Sequence, residues 1–139
     1  RTFRVTRIVD GAERSVEARG QLQLYAQSIR TLVERFSSVP EVLALDSDNQ
    51  PVGTGRLAPD GRIGRMAVAR PLRGTGVGRE VLRALMQAAA RRGDREILLH
   101  AQTSALGFYA REGFVVQGER FEEAGIEHVE MVKVLRAGD

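Results

Sequence analysis

The chain has 139 residues, 42% hydrophobic and 28% charged, which fits a single domain over 1–139 whose core needs no covalent staples. Its net charge is +3, and 20 of its 21 basic residues are arginine, a skew read as compositional bias and not as a sign of a partner. There is no cysteine, no apolar run of membrane-spanning length and no visible signal peptide, which excludes disulfides and thiolate sites and leads one to expect a cytoplasmic protein with no membrane partner.

The chain opens on Arg1 and not on methionine, so a trimmed start is expected. Alternating Phe3, Val5 and Val9 predict a strand at 2–9, and a polar stretch with two glycines predicts a loop at 10–20. Apolar residues at helical spacing predict a helix at 18–36, stopped by Ser37, Ser38 and Pro40. Val42–Leu45 and Val52–Leu57 read as strands around the turn DSDNQP, and PDG at 59–61 is a second turn signal. RIGRMAVA at 62–69 is the next strand. A helix at 76–92 carries Val81, Leu82, Leu85, Met86 and Ala89 on one face and closes near Gly93. EILLHA at 96–101 is a short strand, and a helix at 103–112 is expected with Thr103 or Ser104 as its cap. Strands at 114–121 and 127–135 are joined by an EEAG hairpin. The order β-α-β-β-β-α-β-α-β-β implies an α/β (α+β) class, with a mixed sheet flanked by helices and a βαβ crossover at its centre.

Charge is unevenly spread. Residues 62–95 hold nine arginines against Glu80 and Asp94, a net of +7, whereas residues 119–130 carry a net of −4. One end suits an anion and the other a cation.

The stretch ARPLRGTGVGREVL, 69–82, places Gly74, Gly76 and Gly78 between a strand and a helix N-terminus. The first amides of a helix lack internal partners, and glycine lets a ligand approach them, so this loop suits a phosphate. A P-loop needs Lys and then Ser or Thr after its last glycine, where this chain has Arg79 and Glu80. The dinucleotide fingerprint is G-x-G-x-x-G, and this loop reads G-x-G-x-G, with no acid closing the next strand.

A loop R-G-x-G-x-G after a strand reading MAV resembles the coenzyme A pyrophosphate loop of the GCN5-related N-acetyltransferase (GNAT) superfamily. LHAQ, FYAREGF and EAGIEH are similar in order and spacing to its ElaA-like branch, and the likeness covers about residues 52–135. It implies the GNAT fold, a coenzyme-binding core over 62–112, acetyl-CoA as co-substrate and a primary amine as acceptor. It also raises the prospect of a homodimer. Carried over residue by residue, it implies that Met66, Ala67 and Val68 present backbone to the pantetheine arm and the thioester carbonyl. Arg73 leads the loop, and Gly74, Thr75, Gly76, Val77, Gly78 and Arg79 supply amides to the pyrophosphate. Tyr109 matches the tyrosine beside the sulfur, and its phenol, protonated at neutral pH, suits a general acid.

Other residues are read against plainer roles. His100 on a core strand is first a structural histidine and second a catalytic candidate, and His128 rivals it. Two separated histidines make no metal site, and none is expected. Glu119, Glu122 and Glu123 are either a solvated run or the wall that meets the amine. Arg83, Arg91, Arg92 and Arg95 are expected to face solvent, one or two of them reaching the coenzyme's 3′-phosphate. The strand at 62–69 has no glutamate to act as base, which leaves the base unassigned. Two other readings compete: a non-catalytic coenzyme A sensor, and a nucleic-acid binder suggested by the basic composition. The second is opposed by the absence of tryptophan and an aromatic content of only 5%.

Overall fold

A computed structural model describes residues 3–8 and 41–136. The expected loop at 10–20 and helix at 18–36 lie outside the described residues. Seven strands form one sheet in the order β1-β2-β3-β4-β5-β7-β6. They are β1 Phe3–Ile8, β2 Glu41–Asp46, β3 Pro51–Leu57, β4 Arg62–Val68, β5 Glu96–Gln102, β6 Val115–Glu123 and β7 Ile126–Val134. Among the described residues two α-helices, α1 Val77–Arg92 and α2 Leu106–Ala110, follow β4 and β5. Every neighbouring pair is antiparallel except β4 and β5, which α1 joins as a parallel pair requires. The sheet is thus mixed and mostly antiparallel, with the expected central crossover.

Turn chemistry sets the reversals. Asp46 Oδ1 accepts from the N–H groups of Asp48 and Gln50 at 2.9 and 3.0 Å, closing the turn between β2 and β3. Ala124 and Gly125 both sit at positive φ, 53° and 76°, the backbone of a two-residue hairpin between β6 and β7. At the end of α1, Gly93 N–H reaches Ala90 O at 3.1 Å and Asp94 N–H reaches Ala89 O at 3.0 Å, a Schellman closure.

Helix α1 buries Val77, Val81, Leu82, Leu85, Ala88 and Ala89. They share one core with Ile63, Ile97, Leu99, Ala101, Val129 and Met131 of the sheet. β3 makes room for that approach. A Cβ on Gly55 would stand 2.7 Å from both Leu85 Cδ1 and Met66 Sδ, and one on Gly53 would stand 2.7 Å from Val77 Cγ1.

One expectation is corrected. The segment 103–112 is not one capped helix: a 3-10 turn, Thr103–Ala105, precedes the short α2. Neither Thr103 nor Ser104 caps it. The chain leaves β5 with Gln102 extended, and the entry is closed by backbone, Leu106 N–H donating to Thr103 O.

β4 carries a bulge. Arg56 faces Gly64 and Thr54 faces Ala67, so Arg65 and Met66 together oppose Gly55. Arg65 takes φ 55°, a left-handed conformation rare outside glycine. Such a bulge bends its strand.

Candidate active site

β4 and β5 pair only at Arg62–Leu98 and Ile63–Leu99. Beyond that point they part, just before β4 reaches its bulge. Ala69 N–H donates to Val52 O at 2.8 Å. By two-residue alternation, the N–H and C=O of Met66 and Val68 therefore turn away from β3 and into the gap. Arg73 Nε, donating to Val68 O at 3.2 Å from the loop side, agrees with that orientation.

A cleft of about 710 Å³ runs from the gap to the head of α1. Met66, Ala67 and Val68 form one wall; Arg73, Gly74, Thr75, Gly76, Gly78 and Arg79 form its end; Ala105, Phe108, Tyr109, Arg111 and Glu112 form the other wall. Val77 is absent from the lining because its side chain is buried in the core, so at the loop it offers only its main-chain N–H.

Between β4 and α1 a 3-10 turn, Arg70–Leu72, redirects the chain. Thr75 ties the loop down: its N–H and its Oγ1 both donate to Leu72 O. Gly74 and Gly76 take φ 82° and 96°, conformations that favour glycine. Glu80 N–H bonds Gly76 O at 3.1 Å, while the N–H groups of Gly74, Gly76, Val77, Gly78 and Arg79 have no protein acceptor among the described residues. They form a concave set of donors at the positive end of a 16-residue helix.

Tyr109 is half-buried, edge-on to Phe108 at 5.0 Å and to Phe114 at 6.0 Å. Burial raises its pKa above the ordinary 10.0. The main chain around it is fixed, since the N–H groups of Glu112 and Phe114 both donate to Tyr109 O at 3.0 and 3.2 Å. Glu112 in turn receives Arg83 in a two-pronged pair, 3.0 Å to Oε2 and 3.3 Å to Oε1, which ties the end of α2 to α1. Arg83 is therefore engaged within the protein, as is Arg92, which bonds Asp94 and Ala58 O. Arg91 and Arg95 are exposed.

The remaining candidates separate clearly. His100 stands on the sheet face opposite Leu99 and Ala101, outside the cleft lining. Its Nδ1 lies 3.1 Å from Glu123 Oε2 and its ring meets Phe121 edge-on at 4.9 Å. His128 is buried, bonds Ile126 O through Nδ1 at 2.7 Å and stacks on Phe121. Glu119 and Glu122 are exposed, and neither side chain makes a hydrogen bond or ion pair among the described residues. Phe108 and Glu112 line the cleft without having been candidates, whereas Glu130 does not line it and instead stands 3.8 Å from His100 Nε2. Glu130 had a signal: it alternates with His128 on one strand and so shares its face.

A family model described as an acetyltransferase (GNAT) domain matches residues 11–135. Bacillus subtilis YyaT is 37% identical over 89 residues, a match that takes in 62% of this chain and 60% of that protein, so the chain spans less than two thirds of that relative's length. The N-acetyltransferase YjcF of Bacillus subtilis, itself uncharacterised, is 34% identical over 105 residues, 73% of this chain and 75% of its own. The crystal structure of Escherichia coli ElaA superposes with a TM-score of 0.70 at 24% identity, covering 95% of this chain and 99% of ElaA, a likeness of fold. With the family model spanning β2 to β7, the glycine loop and the parted strands, the chain belongs to the GNAT acetyltransferase family.

Proposed function

We propose that this protein transfers an acetyl group from acetyl-CoA to a primary amine, both substrates bound together. The observation that carries the reading is the set of unpartnered amides at Gly74 and from Gly76 to Arg79, Thr75 N–H being spent on Leu72 O, at the head of a cleft that ends in the gap between β4 and β5. These residues fit a diphosphate: the donors are open, and Arg73 and Arg79 add charge at the same end. Gly78 leaves the room. A Cβ there would lie 3.4 Å from Val68 Cγ2 and 3.5 Å from Phe108 Cζ, inside the cleft. A GNAT acetyltransferase from Elizabethkingia anophelis, of the same fold with a TM-score of 0.63 at 18% identity, was solved with acetyl-CoA bound.

Each part of the chain then has a task. The loop amides grip the diphosphate. The outward N–H and C=O groups of Met66 and Val68 accept an extended amide arm as they would a further strand. One of those N–H groups polarises the thioester carbonyl, a preorganised donor where negative charge develops. Tyr109, kept protonated by burial, gives its proton to the departing thiolate. Holding both reactants in one cleft supplies much of the acceleration, because no covalent enzyme intermediate is needed.

The test is calorimetry with acetyl-CoA, followed by a panel of primary amines with free thiol as the readout. Binding with turnover is expected. Binding without turnover on any amine turns the reading into that of a coenzyme sensor, and absence of binding removes it.

A further inference from the structure

The proposed transfer lacks a base, and β4, which lines the gap, carries no carboxylate or imidazole to serve as one. We infer that His100 takes the proton from the acceptor's ammonium group and that Glu123 positions it for the task, an inference that rests on the transfer reading above. His100 is the first β5 residue beyond the last rung of the β4–β5 ladder, Ile63–Leu99. Its imidazole therefore stands at the mouth of the gap, on the face away from α1. Gly64 would be its neighbour were the ladder to continue, and a Cβ built there meets nothing within 4 Å. An acceptor entering from that face passes the imidazole before it reaches the carbonyl.

The ring's surroundings select its working nitrogen. Nδ1 lies 3.1 Å from Glu123 Oε2, so the neutral ring donates there and Nε2 keeps its lone pair. Glu130 Oε2 stands 3.8 Å from Nε2, beyond hydrogen-bond reach, so it leaves that lone pair open. Gln117 Nε2 holds the other oxygen of Glu130 at 3.1 Å. The strand register also puts Glu96 of β5, Arg62 of β4, Arg56 of β3 and Arg4 of β1 on this face. His128 does not share the role, because its Nδ1 is committed to a carbonyl and its ring is buried against Phe121.

The protons balance. One ammonium proton passes to Nε2 of His100 and from there to solvent. The nitrogen lone pair bonds the carbonyl carbon, the C–S bond breaks, and Tyr109 protonates the thiolate. The second proton that the amine sheds returns to the Tyr109 oxygen.

The chain has only two histidines, so long-range 1H–15N spectra resolve both rings, with His100→Gln giving the assignment. His100 is expected to carry its proton on Nδ1 when neutral, and Glu123→Ala to abolish that preference. In thiol-release assays, His100→Gln is expected to lower kcat/KM for ethylamine about 10²-fold, while leaving hydroxylamine, which arrives already neutral, nearly unaffected. A proton on Nε2 in the wild type, or equal rates for His100→Gln and wild type with ethylamine, or an equal loss with both nucleophiles, overturns the inference. Calorimetry of the wild type with acetyl-CoA runs alongside: no binding removes the transfer reading itself, whereas binding with an unchanged His100→Gln rate removes only the base.

Discussion

The two ends of the site are built from different materials. At the head of α1 the working groups are main-chain amides, freed by Gly74 and Gly76 at positive φ and crowded by arginines. Across the sheet, at β5, β6 and β7, they are side chains: His100, Glu123 and Glu130, brought together by strand register from positions up to 30 residues apart. A site made of backbone tolerates exchange of most side chains but not of its glycines. A site made of side chains tolerates change in the backbone around it but not in its residue types. On the proposed reading, the first end takes the co-substrate that every turnover needs, and the second is free to differ in what it admits.

Several changes would break or sharpen that contrast. Tyr109→Phe should have the largest effect, lowering kcat by roughly 10²- to 10⁴-fold as the acid is lost, with the melting temperature little changed because no partner for the hydroxyl is found among the described residues. Gly76→Val places a β-branched residue at φ 96° in the cradle. It should weaken acetyl-CoA binding about 10- to 100-fold by calorimetry, the worth of one or two charge-assisted hydrogen bonds. Gly55→Ala tests packing instead of chemistry. Its Cβ would meet Leu85 and Met66 at 2.7 Å, and denaturant unfolding should show a loss of about 1–3 kcal/mol. Alkaline pH acts next. Since burial holds the Tyr109 phenol above 10.0, the alkaline fall of the kcat profile should begin only beyond that pH, as the proton is lost. The same shift contributes stability that is present below 10.0 and drains as pH rises through the raised value, so thermal unfolding should also fall in that window. The smallest effect is expected from Arg83→Met, which removes the pair to Glu112: a minor drop in melting temperature that added salt conceals.

The loop and cleft at the head of α1 were legible in the sequence because glycine spacing records backbone directly. R-G-T-G-V-G after MAV fixes where a strand stops and a helix starts, and the cleft lies at that junction. The other end was only half legible. His100 and Glu123 were both candidates, but their 3.1 Å contact depends on a shift in the β6–β7 register between Gln117 and Phe121, which alternation counted along one strand does not reveal. Glu119 and Glu122 looked equivalent to Glu123 for the same reason. The short α2 was misjudged because the turn before it is closed by a backbone bond to Thr103 O, with no side chain to announce it. The packing role of Gly53 and Gly55 was also hidden, since it depends on a helix that arrives more than 20 residues later.

The additional residue in β4 has a cost and a use. Arg65 held at φ 55° forgoes roughly 1 kcal/mol of backbone comfort. Removing it would restore regular pairing of β4 with β3 and let Met66 and Val68 zip onto β5 in place of an incoming arm. A chain shortened there by one residue should melt higher and acetylate nothing, so selection for thermal robustness alone would seal this protein shut.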